Sequence, residues 1–127
     1  MKQGIRRHNP GDEFYIAEGC HIIELSNSAD DPDASIARAR LEPGKITRWH
    51  RLAGIAERYV IVQGRGRAEI GSLPPAEVTV GDVVLIPPGC RQRITNTGAD
   101  DLIFLAICTP RFSYDAYQDI DDKPGVL

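Results

Sequence analysis

The sequence predicts an all-β sandwich or barrel, and three observations predict it. Gly and Pro, 12 and 9 of 127 residues, punctuate the chain about every ten positions. The runs between them are short, carry β-branched residues and alternate apolar with polar, which is the period of a half-buried strand. No helical pattern stands out before residue 110.

The elements follow in order. Strands are expected at 14–16 (FYI) and 21–25 (HIIEL), then a turn through SADDPD. The run 35–41 (SIARARL) alternates strictly and stops at EPG. Next come 45–51 (KITRWHR) and 57–63 (ERYVIVQ), the latter closed by QGRG. Short strands follow at 66–70 and 77–80, separated by SLPP, and at 83–86 (VVLI) before PPG. The last two are 92–96 (QRITN) and 101–108, joined through NTGAD. After Pro110 the text becomes acidic and aromatic, RFSYDAYQDIDDKPGVL. It reads as a tail with one helical turn, packed on the barrel by Phe112, Tyr114 and Tyr117.

Length fits one domain with a core of its own. Net charge is −3, which argues against nucleic acid as a partner. Of the 15 basic residues, 12 are Arg, a bias toward fixed, planar ion pairs. The longest apolar run, LIFLAIC, has seven residues where about 20 are needed to span a membrane, so no membrane partner is expected. The start, MKQGIRRHNP, lacks the apolar stretch of a secretory leader. Cys20, Cys90 and Cys108 are odd in number and lack C-x-x-C spacing, which suits reduced thiols in a cytoplasmic protein.

Strand faces bring polar residues together. On the run 45–52, Ile46, Arg48, His50 and Leu52 share one side, and Thr47, Trp49 and Arg51 the other. Glu57, Tyr59 and Ile61 share a face, as do Gln92, Ile94 and Asn96. Burying the apolar members turns His50, Glu57 and Gln92 into one interior. An ionised Glu there costs several kcal/mol unless it is paired or bound to a cation.

Two stretches carry a resemblance. Gly44-KITRW-His50-R-Leu52-AGIA-Glu57-RYVIVQ-Gly64 has the spacing G-x5-H-x-H-x3,4-E-x6-G, and Gly81-DVVLI-Pro87-P-Gly89-CR-Gln92-RIT-Asn96 has the spacing G-x5-P-x-G-x2-H-x3-N. These resemble the two motifs of the cupin superfamily. The resemblance implies a double-stranded β-helix, the jelly-roll or cupin barrel. It implies a single cupin domain over 1–127, with its barrel over about 13–110 and a C-terminal tail at 111–127. It also implies a divalent metal held by two His and a Glu of the first motif and a His of the second. This chain keeps His50 and Glu57 but has Leu52 and Gln92 at the other two positions. Leu cannot ligate, and Gln offers only a neutral carbonyl oxygen. The expected metal ligands are therefore His50, Glu57 and Gln92, holding Fe, Mn, Ni or Zn with water in the open positions. The alternative is that the three hydrogen-bond one another around a metal-free polar centre.

The remaining expectations follow from these faces. Arg48 would clamp a substrate carboxylate or phosphate, or else pair with Glu57 or a rim carboxylate. Tyr59 would touch substrate or act as an acid, or pack half-buried with its hydroxyl at the rim. Phe104 and Cys108 would line the core or pocket. Cys90 would stand in the corner beside the site. Trp49, outward with Thr47 and Arg51, would mark the face of a homodimer, or else pack under the chain termini. Two functions remain open. One is a metal-dependent oxygenase, isomerase or lyase acting on a small polar or carboxylate-bearing molecule, with Glu57 and Tyr59 as catalytic residues and Arg48, Tyr59 and Phe104 binding substrate. The other is a non-catalytic module that binds or senses a small molecule in a degenerate or metal-free site.

Overall fold

The computed structural model describes residues 1–124. Eleven strands are present among the described residues: β1 (Phe14–Tyr15), β2 (His21–Ser26), β3 (Ser35–Leu41), β4 (His50–Leu52), β5 (Ala56–Gln63), β6 (Arg65–Ile70), β7 (Ala76–Thr79), β8 (Val83–Ile86), β9 (Gln92–Asn96), β10 (Leu102–Thr109) and β11 (Tyr117–Asp119). They form two antiparallel sheets, ordered β1-β2-β3-β10-β5-β8 and β11-β4-β9-β6-β7. The chain is the all-β double-stranded β-helix that the sequence implied. Alternation decides what each strand buries. On β5 the inward residues Glu57, Tyr59 and Ile61 are buried, and on β9 so are Gln92, Ile94 and Asn96.

Apolar packing divides the interior into two ends. Leu41, Ile61, Ile94 and Leu102 fill one end solidly. Asn96 secures the turn there: its amide donates to the carbonyls of Leu41 (2.9 Å) and Asp100 (2.8 Å), and its oxygen accepts from Gly98 N (2.9 Å). A smaller cluster of Leu52, Ile55 and Cys108 packs under Phe112, Ala116 and Tyr117 at the other end.

Two expected elements need correction. The run 45–51 is not one strand. Only His50–Leu52 pairs regularly, and Ile46 touches Thr95 through an isolated bridge. With no pleat over 46–49, the face assignment inverts: Ile46 is 43% exposed and Thr47 is buried. The tail does hold a single helical turn, Tyr114–Ala116, but it then adds β11 antiparallel to β4. Phe112 and Tyr117 pack on the barrel as expected, whereas Tyr114 stays largely exposed at its edge.

Gly66 shows how closely β6 is hemmed in by its neighbour β9 and by the facing sheet. A Cβ there would stand 2.7 Å from the carbonyl oxygen of Thr95 and 2.9 Å from the Leu102 side chain. Backbone cannot retreat cheaply in a packed interior. Gly66→Ala is expected to destabilise the fold by about 1–3 kcal/mol, measured as a lowered urea midpoint at unchanged m-value. An unchanged midpoint would refute this account of the β6–β9 contact.

Candidate functional site

Beneath the tail, the barrel encloses a chamber of about 230 Å³. Its wall is mainly apolar and aromatic, and four charged side chains reach it: Glu18, Glu24, His50 and Glu57. His50 lies on β4 and is 2% exposed. Its Nδ1 is 2.7 Å from the carbonyl of Arg48, which can only accept, so Nδ1 carries a hydrogen. Its Nε2 is 2.8 Å from Glu18 Oε1. Burial pulls the His50 pKa down, but the charge and hydrogen bond of Glu18 outweigh that and push it up to about 9. The ring is an imidazolium at neutral pH, stacked on Tyr117 with centroids 5.3 Å apart.

Glu18 is the site residue that sequence reasoning missed. It sits in the tight turn between β1 and β2, where Gly19 takes a positive φ of 108°. Arg48 N donates to the Glu18 carbonyl at 2.9 Å, tying that turn to the approach to β4. Burial would raise the Glu18 pKa, yet the His50 charge and hydrogen bond bring it below the ordinary 4.5. The Cys20 thiol donates to the other oxygen at 3.3 Å. One signal was available: Glu18 is the lone carboxylate within FYIAEGCHII.

Glu57 behaves in the opposite way. Its Oε2 accepts from the Cys108 thiol at 3.6 Å, and its Oε1 is buried without a partner. Burial first, then the nearby Glu18 charge, push its pKa up to about 7, against the attraction of His50 and the opposing effect of the Gln92 amide and the Cys108 thiol. Tyr59 follows on the same face and is 3% exposed; its hydroxyl is not at the rim but donates to Gln92 Oε1 in the interior. Its ring packs on Phe104, 4.4 Å between centroids, and both line the chamber.

The structure therefore brings His50, Glu57, Tyr59 and Phe104 to one cavity and leaves others outside it. Gln92 pairs with His50 across β4 and β9 but stands behind Tyr59, off the chamber wall. Arg48 does not face the chamber. Its guanidinium donates to Asp119 (2.7 Å) and to the carbonyls of Lys123 (2.7 Å) and Pro124 (3.2 Å), because the irregular chain before His50 turns it toward the tail. Trp49 is outward but not open: the guanidinium carbons of Arg91 and Arg93 lie 4.4 and 4.3 Å from its ring centre. Cys90 is half-buried against the solid core, away from the chamber.

The donor set does not fit a divalent ion. Both His50 nitrogens carry hydrogen toward acceptors, the Gln92 oxygen is taken by Tyr59, and Leu52 fills the position of a further ligand. Among the described residues no three His, Cys, Asp or Glu side chains converge as a metal cluster.

A family profile described as the cupin domain matches residues 37–108, more than half of the chain. The chain belongs to the cupin family. Among curated relatives it is similar to a glucose-6-phosphate isomerase of Thermococcus onnurineus, 29% identical over 114 residues, covering 80% of this chain and 60% of the relative. A glucose-6-phosphate isomerase of Pyrococcus abyssi is 29% identical over 98 residues, 68% of this chain and 52% of that one. This cupin thus spans 52 to 60% of the length of those relatives. Among solved structures, a predicted oxalate decarboxylase of Thermotoga maritima shares 30% identity over 72% of this chain and 80% of that one, TM-score 0.66. A Streptomyces nucleoside dehydratase solved with uridine superposes over 95% of this chain and 93% of that one, TM-score 0.76, at 16% identity, a likeness of fold. No helix among the described residues is long and apolar enough to cross a membrane.

The two raised pKa values fix a pH dependence of stability. Glu57 goes from 4.5 to about 7 and His50 from 6.5 to about 9, so in each window the folded state binds more protons than the unfolded one. Stability then falls as pH rises, by up to about 1.4 kcal/mol per pH unit for each group within its window. Glu18, shifted downward, acts the other way below its ordinary 4.5. Denaturant melts are expected to show greatest stability near pH 4.5 and a decline toward pH 9. In Glu18→Gln the decline between pH 7 and 9 should flatten, because His50 loses the charge that raises it. A wild-type curve flat over this range would sink the assignment.

Proposed function

We propose that this cupin is a proton-transfer enzyme of the isomerase or lyase type, acting on a small molecule in the chamber and needing no resident metal. One observation carries the reading: two buried carboxylates have environments that drive them apart, Glu18 ionised against an imidazolium and Glu57 poised near neutrality with one free oxygen. Such a pair supplies an acid and a base from one site.

The chemistry follows. Ionised Glu57 takes a proton from the carbon beside a carbonyl, and the C–H electron pair moves into the carbonyl system. The charge gathers on the carbonyl oxygen, where the positive charge of the buried imidazolium offsets it while the Nε2 hydrogen stays hydrogen-bonded to Glu18. Returning the Glu57 proton to the neighbouring carbon, as that carbon's hydroxyl proton passes to the former carbonyl oxygen, completes an isomerisation. Expelling a β-hydroxyl as water completes an elimination. An isomerase and a dehydratase stand among the similar proteins named above, which supports this class. A metal-dependent route through His50, Glu57 and Gln92 has less support, because the first is protonated and the last is engaged. Arg48 gives no support to a carboxylate-bearing substrate, since Asp119 and the tail hold it.

The observation favouring the non-catalytic reading is the wall itself, which is mostly apolar and includes Leu52. A homodimer remains part of the proposal, on the outer face of the larger sheet, where Val62, Val83 and Leu85 stand exposed, and not at Trp49.

The test is exchange of carbon-bound hydrogen with solvent. A panel of small hydroxy-ketones is incubated with the protein in D2O and followed by proton NMR. Exchange is expected with a bell-shaped pH profile, rising through about 7 and falling through about 9 as Glu57 ionises and His50 deprotonates. Glu57→Gln should lower the rate by about 10²- to 10⁴-fold, while dialysis against a chelator should leave it unchanged. Loss of exchange on chelation would reinstate the metal. Ligand binding without exchange would establish the binding module instead.

A further inference from the structure

We infer that the chamber recognises an uncharged, ring-sized hydroxy-carbonyl compound at two points, Glu57 Oε1 and the hydroxyl of Tyr117, a residue supplied by the C-terminal tail. The inference deepens the proton-transfer reading and borrows its chemistry from it, but recognition can be tested separately.

His50 is engaged at both nitrogens, Glu18 at both oxygens, and Glu57 at Oε2. Tyr59 donates to Gln92, and Ser35 Oγ accepts from Phe112 N at 2.8 Å. Two buried side-chain atoms of lining residues are left without a partner: Glu57 Oε1 and the Tyr117 hydroxyl. The amide nitrogen of Gln92 and hydroxyl of Thr95 are also without a hydrogen bond and neither residue lines the chamber, though the Gln92 amide is near enough to Glu57 to favour its ionised form. A buried polar atom left unsatisfied costs about 1–3 kcal/mol, which a matched ligand recovers.

Tyr117 is held there firmly. β11 pairs with β4, setting Tyr117 opposite Leu52 and Asp119 opposite His50. The pairing is extended by Ile120 N donating to Trp49 O (3.0 Å), by Trp49 N donating to Asp121 (2.9 Å) and by the Arg48–Asp119 ion pair. The ring is fixed by its stack on His50. Its hydroxyl is a preset probe of whatever enters.

Charge and valence then select the ligand. The charged groups of the wall are three carboxyl residues and one imidazolium, so an anion meets no uncommitted cation. A carboxylate or phosphate brings several acceptors to a wall with one free donor, the Tyr117 O–H. An ammonium brings three donors to two buried free acceptors, with Glu24 exposed at the rim. A neutral hydroxy-carbonyl brings one O–H for Glu57 and one carbonyl oxygen for Tyr117, which matches. The aromatic walls formed by Tyr59, Phe104 and Phe112, around 230 Å³ of space, suit a single ring.

The experiment compares three probes of one size at pH 8 by isothermal titration calorimetry: 2-hydroxycyclohexanone, cyclohexanecarboxylate and cyclohexylamine. The hydroxy-ketone is expected to bind at least about tenfold more tightly than either charged probe. Tyr117→Phe keeps the stack and removes the hydroxyl; it should weaken the hydroxy-ketone about three- to tenfold while Tm holds or rises. A structural hydroxyl would do the reverse, lowering Tm and sparing affinity. The inference is overturned if the hydroxy-ketone does not bind, if either charged probe matches it, or if Tyr117→Phe leaves its affinity unchanged. Hydrogen exchange of the bound hydroxy-ketone in D2O separates the two readings. Selective binding with no exchange keeps this recognition and removes the proton-transfer function, whereas exchange that persists with equal affinity in Tyr117→Phe keeps the function and removes the recognition.

Discussion

The buried pair of Glu18 and His50 is the constraint on which the chamber depends. Two opposite charges withdrawn from water are tolerated only when geometry and further hydrogen bonds compensate, and removing one member of such a pair costs about 3–5 kcal/mol. The compensation here is local and complete. The backbone of Arg48 touches both partners: its N–H meets the Glu18 carbonyl, and its C=O meets the His50 ring. The Cys20 thiol takes the outer oxygen of Glu18, and Tyr117 covers the imidazolium. Three separate pieces of chain, the β1–β2 turn, β4 and the tail, are thereby fixed to one another at one end of the barrel.

From that pair the rest of the site follows. The negative charge of Glu18 is cancelled for His50 but still felt by Glu57, whose ionisation it opposes along with burial. One carboxylate is held ionised and the other near neutrality, by environment alone. The pattern of positions is that of a family that commonly binds divalent metals, yet the donors at those positions are turned to other partners. Leu52 and the Tyr59–Gln92 hydrogen bond occupy two of them, and the carboxylate of Glu18 takes the place beside His50 that an ion would need. A single added carboxylate from outside both motifs changes what the same framework can do.

Much of the barrel was legible, because alternation is a local property. The inward sets Glu57-Tyr59-Ile61 and Gln92-Ile94-Asn96 are buried as the period of two requires. The same logic failed over 45–49, where KITRW alternates in sequence but makes only one isolated bridge, so its faces carry no meaning. That failure sent Arg48 to the wrong side. Glu18 was hidden for a different reason. A carboxylate next to Gly in a turn reads as solvated, and only a contact across 32 residues of sequence, from 18 to 50, reveals it as buried. β11 was hidden because a three-residue strand has almost no signal of its own. It exists because β4 has an open edge that the tail can pair with.

The tail shows where stability and function part company. Its attachment rests on main-chain pairing, the Arg48–Asp119 ion pair and an aromatic stack, none of which uses the Tyr117 hydroxyl. A phenylalanine would satisfy every one of those contacts and leave no buried hydroxyl unpartnered. The same holds for Glu57, since a buried carboxyl near neutrality contributes nothing that an apolar side chain of its size would not. Two such unmet groups on one cavity, in a wall whose other buried polar atoms are matched, are costs that packing does not explain. A ligand that pairs with both would bind only the folded chain and stabilise it in proportion to its affinity.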